Sequence, residues 1–356
     1  MQVRFKILRQ GPTTHPQVET YTLDVDPSST ILDCLNRIKW ELDGTLAFRK
    51  NCRNTICGSC AMRINGRSAL ACKENVKNEL FRLHPIVGNK PPDNSSQSDL
   101  EKSPEITVAP MGNMPVIKDL VVDMHSFWEN LEAVDPYVST AGREVPEREF
   151  LQTPEERSRL NQSGNCILCG ACYSECNARE VDSSFVGPHA LAKAYRMVAD
   201  SRDQQTKARL EKYNQGTQGV WGCTRCSYCN AVCPMGVAPL DQISKIKEKI
   251  LDRKNAQDSR SIRHRKVLIE LVKKGGWIDE RRFGLQVVGN SFRDLKGLLS
   301  LSPLGIRMIA RGKFPLRFEP SEGTATVRSL IESVQSLDPA QQVEDTTSDT
   351  PEPVGG

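Results

Sequence analysis

Twelve of the thirteen cysteines in this chain of 356 residues fall into three groups of four. The groups are Cys52, Cys57, Cys60 and Cys72; Cys166, Cys169, Cys172 and Cys176; and Cys223, Cys226, Cys229 and Cys233. Thiolates are the usual ligands of iron-sulfur clusters, and the spacing inside each group is typical of a cluster-binding segment. The cysteines therefore predict a chain that transfers electrons.

The first group has the spacing C-x4-C-x2-C followed by a distant fourth cysteine, which is the plant-type [2Fe-2S] pattern. Its first three cysteines lie in the loop from Arg49 to Cys60. A loop around a cluster must bring backbone N-H groups close to the sulfur atoms, and Gly58 permits this because it has no Cβ. Hydrogen bonds of this kind raise the reduction potential of a cluster.

The second and third groups both have the spacing C-x2-C-x2-C-x3-C, and Pro234 follows the last cysteine. This run is typical of bacterial ferredoxins with two clusters, in which the fourth cysteine of each run binds the other cluster. The rule assigns one cube to Cys166, Cys169, Cys172 and Cys233, and the other to Cys176, Cys223, Cys226 and Cys229. Two cubane-type clusters are therefore expected side by side.

Disulfides and zinc are the alternatives to clusters. Disulfide frameworks are typical of short secreted chains, whereas this chain is long and no apolar targeting stretch follows its first residues. Zinc sites use separated C-x2-C pairs, and neither the four-two spacing nor the repeated run ending in Cys-Pro is typical of them. The thirteenth cysteine, Cys34, shares a helical face with Ile31, Leu35 and Ile38 and is expected to be buried.

The composition is that of an ordinary soluble protein, with 26% charged and 38% hydrophobic residues. No apolar run reaches the ~18 residues of a transmembrane helix, so any membrane association is expected to go through a partner. A net charge of +4 gives no support for nucleic-acid binding. The five histidines are scattered and no nucleophile motif is present, so no catalytic residue is expected in this chain.

Residues 1–115 are predicted to form a β-grasp [2Fe-2S] ferredoxin domain. Val3 to Ile7 and Tyr21 to Val25 alternate apolar and polar residues, which predicts a β-hairpin. Ser28-Ser29-Thr30 is a candidate cap for a helix that continues to Leu42. A hairpin, a helix and then a cluster loop is how such a domain begins.

The rest of this domain must return the fourth cysteine to the loop. Met62 to Ile64 predicts a strand that ends in the Asn65-Gly66 turn, which brings Cys72 back towards the cluster. The segment 88–104 is a polar insertion that we expect to be mobile. A last strand is predicted near Ile106 to Val108.

Residues 116–256 are predicted to form an all-α ferredoxin-like domain with two clusters, so the fold class is α+β. Its helical pattern begins with Val116 to Met124 and includes His189 to Ala199 and Gln204 to Tyr213, between the two cysteine runs.

The remaining residues contain no cysteine. Residues 257–337 are predicted to be a basic helical extension, with helices at His264 to Val272 and from Leu298 to Ile309. Its basic residues are expected either to be solvated or to meet anionic lipid or a partner. Residues 338–356 have the composition of a disordered acidic tail.

The order of a plant-type loop, the segment Asn113 to Met124 and two ferredoxin runs resembles the iron-sulfur subunit of succinate dehydrogenase and fumarate reductase. The resemblance covers residues 1 to 250, and the loop from Phe48 to Cys60 is its most specific part. In that family a separate flavoprotein subunit oxidises succinate at a covalently attached FAD. The resemblance implies that this chain passes electrons, one at a time, from the flavin to a membrane-associated partner and quinone.

The resemblance also implies an order of clusters and a location. The cluster of Cys52, Cys57, Cys60 and Cys72 would face the flavin, the cube of Cys166, Cys169, Cys172 and Cys233 would lie in the middle, and the last centre would face the acceptor. The complex would lie on the cytoplasmic side of a membrane, with this chain attached peripherally through its partner.

The third group departs from the family pattern. Most relatives have a [3Fe-4S] cluster there because the position equivalent to Cys226 is not a cysteine. Cys226 completes the ligand set, which predicts a [4Fe-4S] cluster at Cys176, Cys223, Cys226 and Cys229. The alternative is that Cys226 is a bystander thiol beside a [3Fe-4S] cluster.

A second departure concerns the acceptor. Typical relatives follow their second group with Pro and a Trp-containing stretch, whereas Cys176 here precedes Asn177-Ala178-Arg179-Glu180. The basic segment 263–313 is similar to the C-terminal part of heterodisulfide-reductase-type iron-sulfur subunits. These departures favour a cysteine-rich, non-haem partner over a haem-bearing membrane anchor.

Three functions remain open from the sequence. The first is the electron-transfer subunit of succinate dehydrogenase. The second is the same subunit of a fumarate reductase, with a thiol-linked fumarate reductase as one form of it. The third is a free-standing carrier or an electron-wire subunit of another flavoprotein dehydrogenase. The direction of electron flow, towards succinate oxidation or fumarate reduction, depends on reduction potentials and partners, which the residues of this chain do not determine.

Overall fold

The computed structural model describes residues 1–11, 14–83, 104–253, 259–314 and 317–336. The chain forms two compact units, Met1–Lys254 and Asn255–Gly356. The predicted polar insertion at 88–104, apart from Pro104, and the predicted tail at 338–356 lie outside the described residues. All thirteen cysteines belong to the first unit.

Five strands form one mixed sheet in the N-terminal part of the first unit. They are β1 (Gln2–Arg9), β2 (Gln17–Asp24), β3 (Ala61–Ile64), β4 (Arg67–Leu70) and β5 (Glu105–Ala109). The order across the sheet is β2-β1-β5-β3-β4, in which β1 and β5 are parallel and the other neighbours are antiparallel. Val3, Phe5 and Ile7 alternate along β1 and are fully buried. The predicted hairpin and both later strands are confirmed.

Helix α1 (Ile31–Arg37) packs against this sheet and begins at Thr30. The Thr30 hydroxyl accepts from the Asp33 N-H at 3.1 Å, and the Asp33 carboxylate accepts from the Thr30 N-H at 3.3 Å. A π-helical turn, Ile38–Leu42, continues the helix to its predicted end. Cys34 is only 1% exposed in the core beneath α1, which confirms its predicted packing role.

The segment after the sheet is a β-hairpin, and the helix predicted from Val116 to Met124 is wrong. Strands β6 (Val116–Lys118) and β7 (Val121–Val122) pair antiparallel. Asp119 lies in the turn at a φ of 49°, and its carboxylate accepts from the Arg9 guanidinium at 2.9 Å. β-branched residues favour extended backbone, and this distant ion pair holds the turn. The predicted all-α domain therefore starts with a hairpin.

Helices make up most of the rest of the first unit. They are α2 (Val76–Leu83), beside the sheet, and then α3 (His125–Glu132), α4 (Pro154–Gly164), α5 (Ala171–Ser174), α6 (Asn177–Val181), α7 (Pro188–Ala199), α8 (Thr206–Tyr213), α9 (Tyr228–Ala231) and α10 (Pro239–Leu251). The central helix α7 packs against α10, α4 and α8. The two helices predicted between the cysteine runs are confirmed as α7 and α8.

A polar network joins the helices to the sheet. Glu175, which follows α5, accepts from the Ser68 hydroxyl at 2.7 Å and forms an ion pair with the Arg63 guanidinium at 3.0 Å. The Ser174 hydroxyl accepts from the Gly112 N-H at 2.8 Å, and its oxygen lies 2.7 Å from the Ser68 hydroxyl oxygen. Ser68 is fully buried, so this network fixes α5 against β4.

The second unit is helical. Its helices are α11 (Arg260–Gly275), α12 (Glu280–Phe283), α13 (Leu295–Ser300), α14 (Ser302–Ala310) and α15 (Thr324–Ser336), with a π-helical segment at Gly284–Val288. α11 packs against α15 and against the π-helical segment. The helices predicted at 264–272 and 298–309 are confirmed, the latter as two short helices. Within the described ranges, no helix has the length and apolar character to span a bilayer.

Candidate cluster-binding site

The β3–β4 hairpin brings the first cysteine group together. Cys60 immediately precedes β3, and Cys72 follows soon after β4, so both lie at the same end of the hairpin. Asn65 and Gly66 form the turn at its other end, with φ angles of 49° and 78°. The Thr55 hydroxyl of the cluster loop lies 3.9 Å from the Cys72 sulfur. The structure therefore returns Cys72 to the loop as predicted.

Backbone N-H groups point at the sulfur of Cys52. The N-H groups of Asn54 and Cys57 each donate to Cys52 Sγ at 3.3 Å. These hydrogen bonds, with that of Asn54 the largest contributor, lower the pKa of the Cys52 thiol to about 6. Burial instead raises the pKa of the Cys60 thiol to about 12. The exposed side of the loop is thus organised to stabilise negative charge on sulfur.

The second site is a cavity lined by thiols from both ferredoxin-type runs. Its cysteines are Cys166, Cys169, Cys172 and Cys233. Cys233 Sγ accepts from the Val237 N-H at 3.3 Å. Burial raises the pKa of the Cys169 thiol to about 11 and raises that of Cys172 well above its ordinary value. Three thiols of one run and the last thiol of the other therefore meet around one cavity.

The third site is a second cavity with the complementary set of thiols. Its cysteines are Cys176, Cys223, Cys226 and Cys229. Burial raises the pKa of the Cys229 thiol to about 12, and repulsion from Cys223, Cys176 and Cys226 adds to this effect. Burial also raises the pKa of Cys176, with further repulsion from Cys223 and Cys226. The structure brings together both predicted sets, and their role as ligands stays a prediction.

The two runs bend their backbones in the same way. Leu168 in the first run and Arg225 in the second precede the second cysteine, with φ angles of 54° and 61°. Gly170 and Ser227 follow that cysteine, with φ angles of 84° and 65°, and a short helix begins after each. Cys226 therefore has the same backbone setting as Cys169.

These residues fit iron-sulfur clusters. Each ferredoxin-type cavity combines four thiols with mostly apolar neighbours, and backbone N-H groups are directed at sulfur in the first and second sites. The positive charge of iron would offset the burial and repulsion that raise the thiol pKa values. No group of three or more Cys, His, Asp or Glu side chains within the described residues is placed to hold a single metal ion. All thirteen cysteines are free thiols.

Gly58 joins the first cysteine loop to the second. A Cβ at this position would lie 2.9 Å from both Cα and Cβ of Cys169, and φ at Gly58 is 71°. The sequence predicts a close approach of the Gly58 backbone to the sulfur atoms of a cluster. The structure shows that the backbone of Cys169 is also there, a contact between distant segments that needs the fold to be seen.

His189 lies beside the second site, which the sequence did not indicate. It lines the cavity of Cys166 and Cys169, and its ring stacks on Phe127 with centroids 3.9 Å apart. Its Nε2 lies 2.9 Å from the Phe127 carbonyl oxygen. Burial lowers the pKa of His189 to about 3, so the ring is neutral and packs as an aromatic side chain. A lone histidine in a helical segment carries no signal for this position.

Two domain families match the chain. Residues 4–129 match the family described as a 2Fe-2S iron-sulfur cluster binding domain, and residues 162–237 match the 4Fe-4S dicluster domain. The first range contains the plant-type group, and the second contains both ferredoxin-type runs. The two kinds of cluster-binding domain that the cysteines predict are therefore confirmed.

The chain matches proteins of known name over most of their length. The succinate dehydrogenase iron-sulfur subunit of Paracoccus denitrificans is 34% identical over 70% of this chain and 88% of its own. The fumarate reductase iron-sulfur subunit of Haemophilus influenzae is 33% identical over 67% and 90%. A chain in the structure "Mycobacterium smegmatis Sdh1 complex in the apo form" matches with a TM-score of 0.57 at 24% identity, covering 72% of this chain and 98% of its own. That structural match supports the predicted α+β fold.

Proposed function

This chain belongs to the family of iron-sulfur subunits of succinate dehydrogenase and fumarate reductase, and on that premise we propose that it is the electron-transfer subunit of a succinate dehydrogenase. One observation carries the proposal: three cysteine groups share one unit, and only the first and last have widely exposed loops. Ile56 in the first loop is 63% exposed and Tyr228 in the last is 53% exposed, whereas Ala171 and Tyr173 in the middle run are fully buried. Such an arrangement suits a chain that receives electrons at one surface and delivers them at another.

Three ligand sets are part of the proposal. They are Cys52, Cys57, Cys60 and Cys72 for a [2Fe-2S] cluster; Cys166, Cys169, Cys172 and Cys233 for a [4Fe-4S] cluster; and Cys176, Cys223, Cys226 and Cys229 for the third cluster. The convergence of the latter two sets on separate cavities supports this assignment. The N-H groups directed at Cys52 support the first.

The third cluster is proposed to be [4Fe-4S], with Cys226 as a ligand. The shared backbone bends of the two runs support this assignment, because they give Cys226 the setting of Cys169. Low-temperature EPR of anaerobically prepared protein tests it. We expect no oxidised S = 1/2 three-iron signal, and a strong signal that survives anaerobic handling would leave Cys226 as a bystander thiol.

Bound clusters supply reversible one-electron transfer, and the chain controls the environment in which it occurs. N-H donors to Cys52 stabilise negative charge on sulfur. Apolar residues such as Ile167 and Val237 limit water at the middle site. Gly58 allows the first loop to touch the segment of Cys169, which keeps the first two sites close.

We further propose two partners. An FAD-containing flavoprotein subunit would dock at the first loop, where Ile56 is 63% exposed and the Lys50 ammonium lies 4.8 Å from the centroid of the 65% exposed Trp40 ring, and would carry the substrate chemistry. A membrane-associated anchor or a cysteine-rich partner would dock at the exposed segment 224–228 and deliver electrons to quinone. Because thiols persist in reducing compartments, we place the complex on the cytoplasmic side of the membrane.

Fumarate reduction by the same parts is the second candidate, because the 33% identity to a fumarate reductase subunit is close to the 34% identity to a succinate dehydrogenase subunit. A thiol-linked fumarate reductase or another flavoprotein dehydrogenase would use the same electron path. Anaerobic EPR titration of the three clusters in the native complex separates the directions. Potentials near or above that of the succinate/fumarate couple support succinate oxidation, and uniformly lower potentials support fumarate reduction.

Purification of the native complex tests the proposal as a whole. We expect an FAD-containing subunit to co-purify and succinate to reduce quinone. Cys57→Ser should abolish quinone reduction, whereas Cys34→Ala, which alters a buried cysteine outside the three groups, should retain it. Recovery of the chain as a free monomer, or with a flavoprotein that does not act on succinate or fumarate, would overturn the proposal.

A further inference from the structure

The helices α13 and α14 of the second unit form a surface that is both apolar and basic. We propose that this surface binds the headgroup region of an anionic lipid bilayer directly. The inference concerns the second unit alone and does not depend on which substrate the complex oxidises or reduces.

The apolar part of this surface is unusually exposed for a folded unit. Neither α13 nor α14 contains a buried residue. The large hydrophobic side chains that are more than half exposed there are Phe292, Leu295, Leu299, Leu304, Ile306 and Ile309. All six fall within residues 292–309, and exposed apolar side chains concentrated in one segment mark an interaction surface, whereas an ordinary surface shows scattered single ones.

The charge of the same segment is predominantly positive. Residues 293–317 contain Arg293, Lys296, Arg307, Arg311, Lys313 and Arg317. Asp294 is the single acidic residue, and its carboxylate accepts from the Gly297 N-H at 2.8 Å as the cap of α13. Within the described part of the chain, Lys296, Arg311 and Lys313 form no ion pair with an acidic group. These cations are available to an anionic partner.

A lipid surface suits this combination better than the alternatives. A second copy of the surface would bring like charges together, and nucleic acid offers no apolar phase for leucine and isoleucine. Short amphipathic helices with aliphatic and basic residues lie in the plane of a membrane interface, where the aliphatic side chains enter the acyl boundary. Lysine and arginine then gain from the negative surface potential of anionic lipids. Neither helix is long enough to cross the bilayer, which fits binding in the plane.

Vesicle flotation of the purified full chain, with its clusters and without other subunits, tests the proposal. The probes are protein-free vesicles of phosphatidylcholine alone and of phosphatidylcholine mixed with phosphatidylglycerol. We expect binding to the mixed vesicles, little binding to neutral vesicles, and release by high salt.

Two variants separate the apolar and electrostatic contributions. Leu299→Asn with Ile309→Asn should weaken binding to the mixed vesicles by about tenfold. Lys296→Gln with Arg311→Gln and Lys313→Gln should weaken it by roughly fivefold for each charge removed and should also reduce the salt dependence. Circular dichroism and visible absorption should match those of the unaltered chain.

Matched controls lie in the first unit. Val145→Asn with Leu151→Asn alters two side chains that are 80% and 78% exposed, and Lys77→Gln with Lys118→Gln and Lys207→Gln removes the same charge. Both controls should bind as the unaltered chain does. Absence of binding to the mixed vesicles, equal effects of controls and test variants, or binding only when an anchor subunit is added would each overturn the proposal.

Discussion

The two ferredoxin-type runs share their spacing and their backbone bends, yet they lie in different surroundings. In the first run, Tyr173 is fully buried, and Ser174 and Glu175 hydrogen-bond to the sheet side of the unit. The equivalent residues of the second run are Asn230, Ala231 and Val232, and none of them contacts the sheet through a side-chain hydrogen bond. One run is enclosed and the other is left accessible.

The polar residue of the second run, Asn230, hydrogen-bonds to the next helix along the chain. Asn230 Oδ1 accepts from the Leu240 N-H at 2.8 Å and so caps α10, whose flanking residue Ala238 has no polar side chain to accept this bond. Residues 224–228 of this run are all exposed. The cysteine spacing therefore determines the backbone of a run, whereas the residues between and after the cysteines determine whether its site is enclosed or exposed.

Removal of one thiol from each run should give the largest difference between the runs, in both iron content and retention of the fold. Cys172→Ser alters a buried thiol at the internal site, and we expect loss of about four iron atoms per chain and of soluble, folded protein, because cluster binding and folding are coupled. Cys226→Ser alters an exposed thiol, and we expect loss of about one iron atom with the fold retained.

Iron analysis, EPR and limited proteolysis measure these outcomes. Cys34→Ala, which alters a buried cysteine outside every group, should keep the full iron content. Equal loss of iron and fold in Cys172→Ser and Cys226→Ser would remove the distinction between an internal and an accessible site.

A methyl group at Gly58 should disturb the enclosure of the first run. Gly58→Ala places a Cβ 2.9 Å from the backbone of Cys169 at a positive φ, and we expect a loss of roughly 2–3 kcal/mol of unfolding free energy. Gly66→Ala is the matched control, because Gly66 also has a positive φ but its Cβ would meet nothing within 4 Å. It should cost about 1 kcal/mol.

The two variants are compared by thermal denaturation and by the rate of reduction of the middle cluster. Gly58→Ala should slow that reduction, and Gly66→Ala should leave it unchanged. If both variants lose the same stability and neither slows reduction, contact between Gly58 and Cys169 does not organise the first two sites.

The cysteine groups and the local secondary structure could be predicted from the sequence. The different surroundings of the two runs could not, because they depend on contacts between distant residues. Cysteine spacing is a local signal, so the three groups and the crossing of the fourth cysteines could be predicted from it. Alternating residues likewise predicted β1 and β2, and Thr30 predicted the start of α1. The enclosure of the first ferredoxin-type run could not be predicted. Glu175 and Arg63 are far apart in the sequence, and only the fold shows that they form an ion pair.

The error at Val116 to Met124 has the same origin. The apolar pattern there suited either a helix or short strands, and length could not decide between them. The ion pair between Asp119 and Arg9 fixes a turn in the middle of the segment, which a helix cannot accommodate. Local propensity was ambiguous, and a tertiary contact decided the outcome.

Loss of the charge on Glu175 should loosen the enclosed run by a smaller amount. Glu175→Gln weakens the pair with Arg63, which is partly exposed, so we expect a loss of about 1 kcal/mol of unfolding free energy. Glu180→Gln, a nearby exposed position, should change stability by less than about 0.5 kcal/mol. Chemical denaturation measures both, and equal effects would mean that the network does not fasten α5 to β4.

Substitution of each of Gly170 and Ser227 by the residue found at the equivalent position of the other run should give the smallest changes in stability. These variants test directly whether the two runs share a backbone conformation. Ser227→Gly relieves a left-handed conformation but adds freedom to the unfolded chain, so we expect a gain of about 0.5 kcal/mol with docking to the partner unchanged. Gly170→Ser places a Cβ 3.1 Å from Met114 Cε in the enclosed run, and we expect a loss of about 1–2 kcal/mol. Thermal denaturation and co-purification of the partner measure these changes. If Ser227→Gly instead loses partner binding while its stability is unchanged, the Ser227 side chain contacts the partner. Open surroundings alone would then not explain a serine at this position.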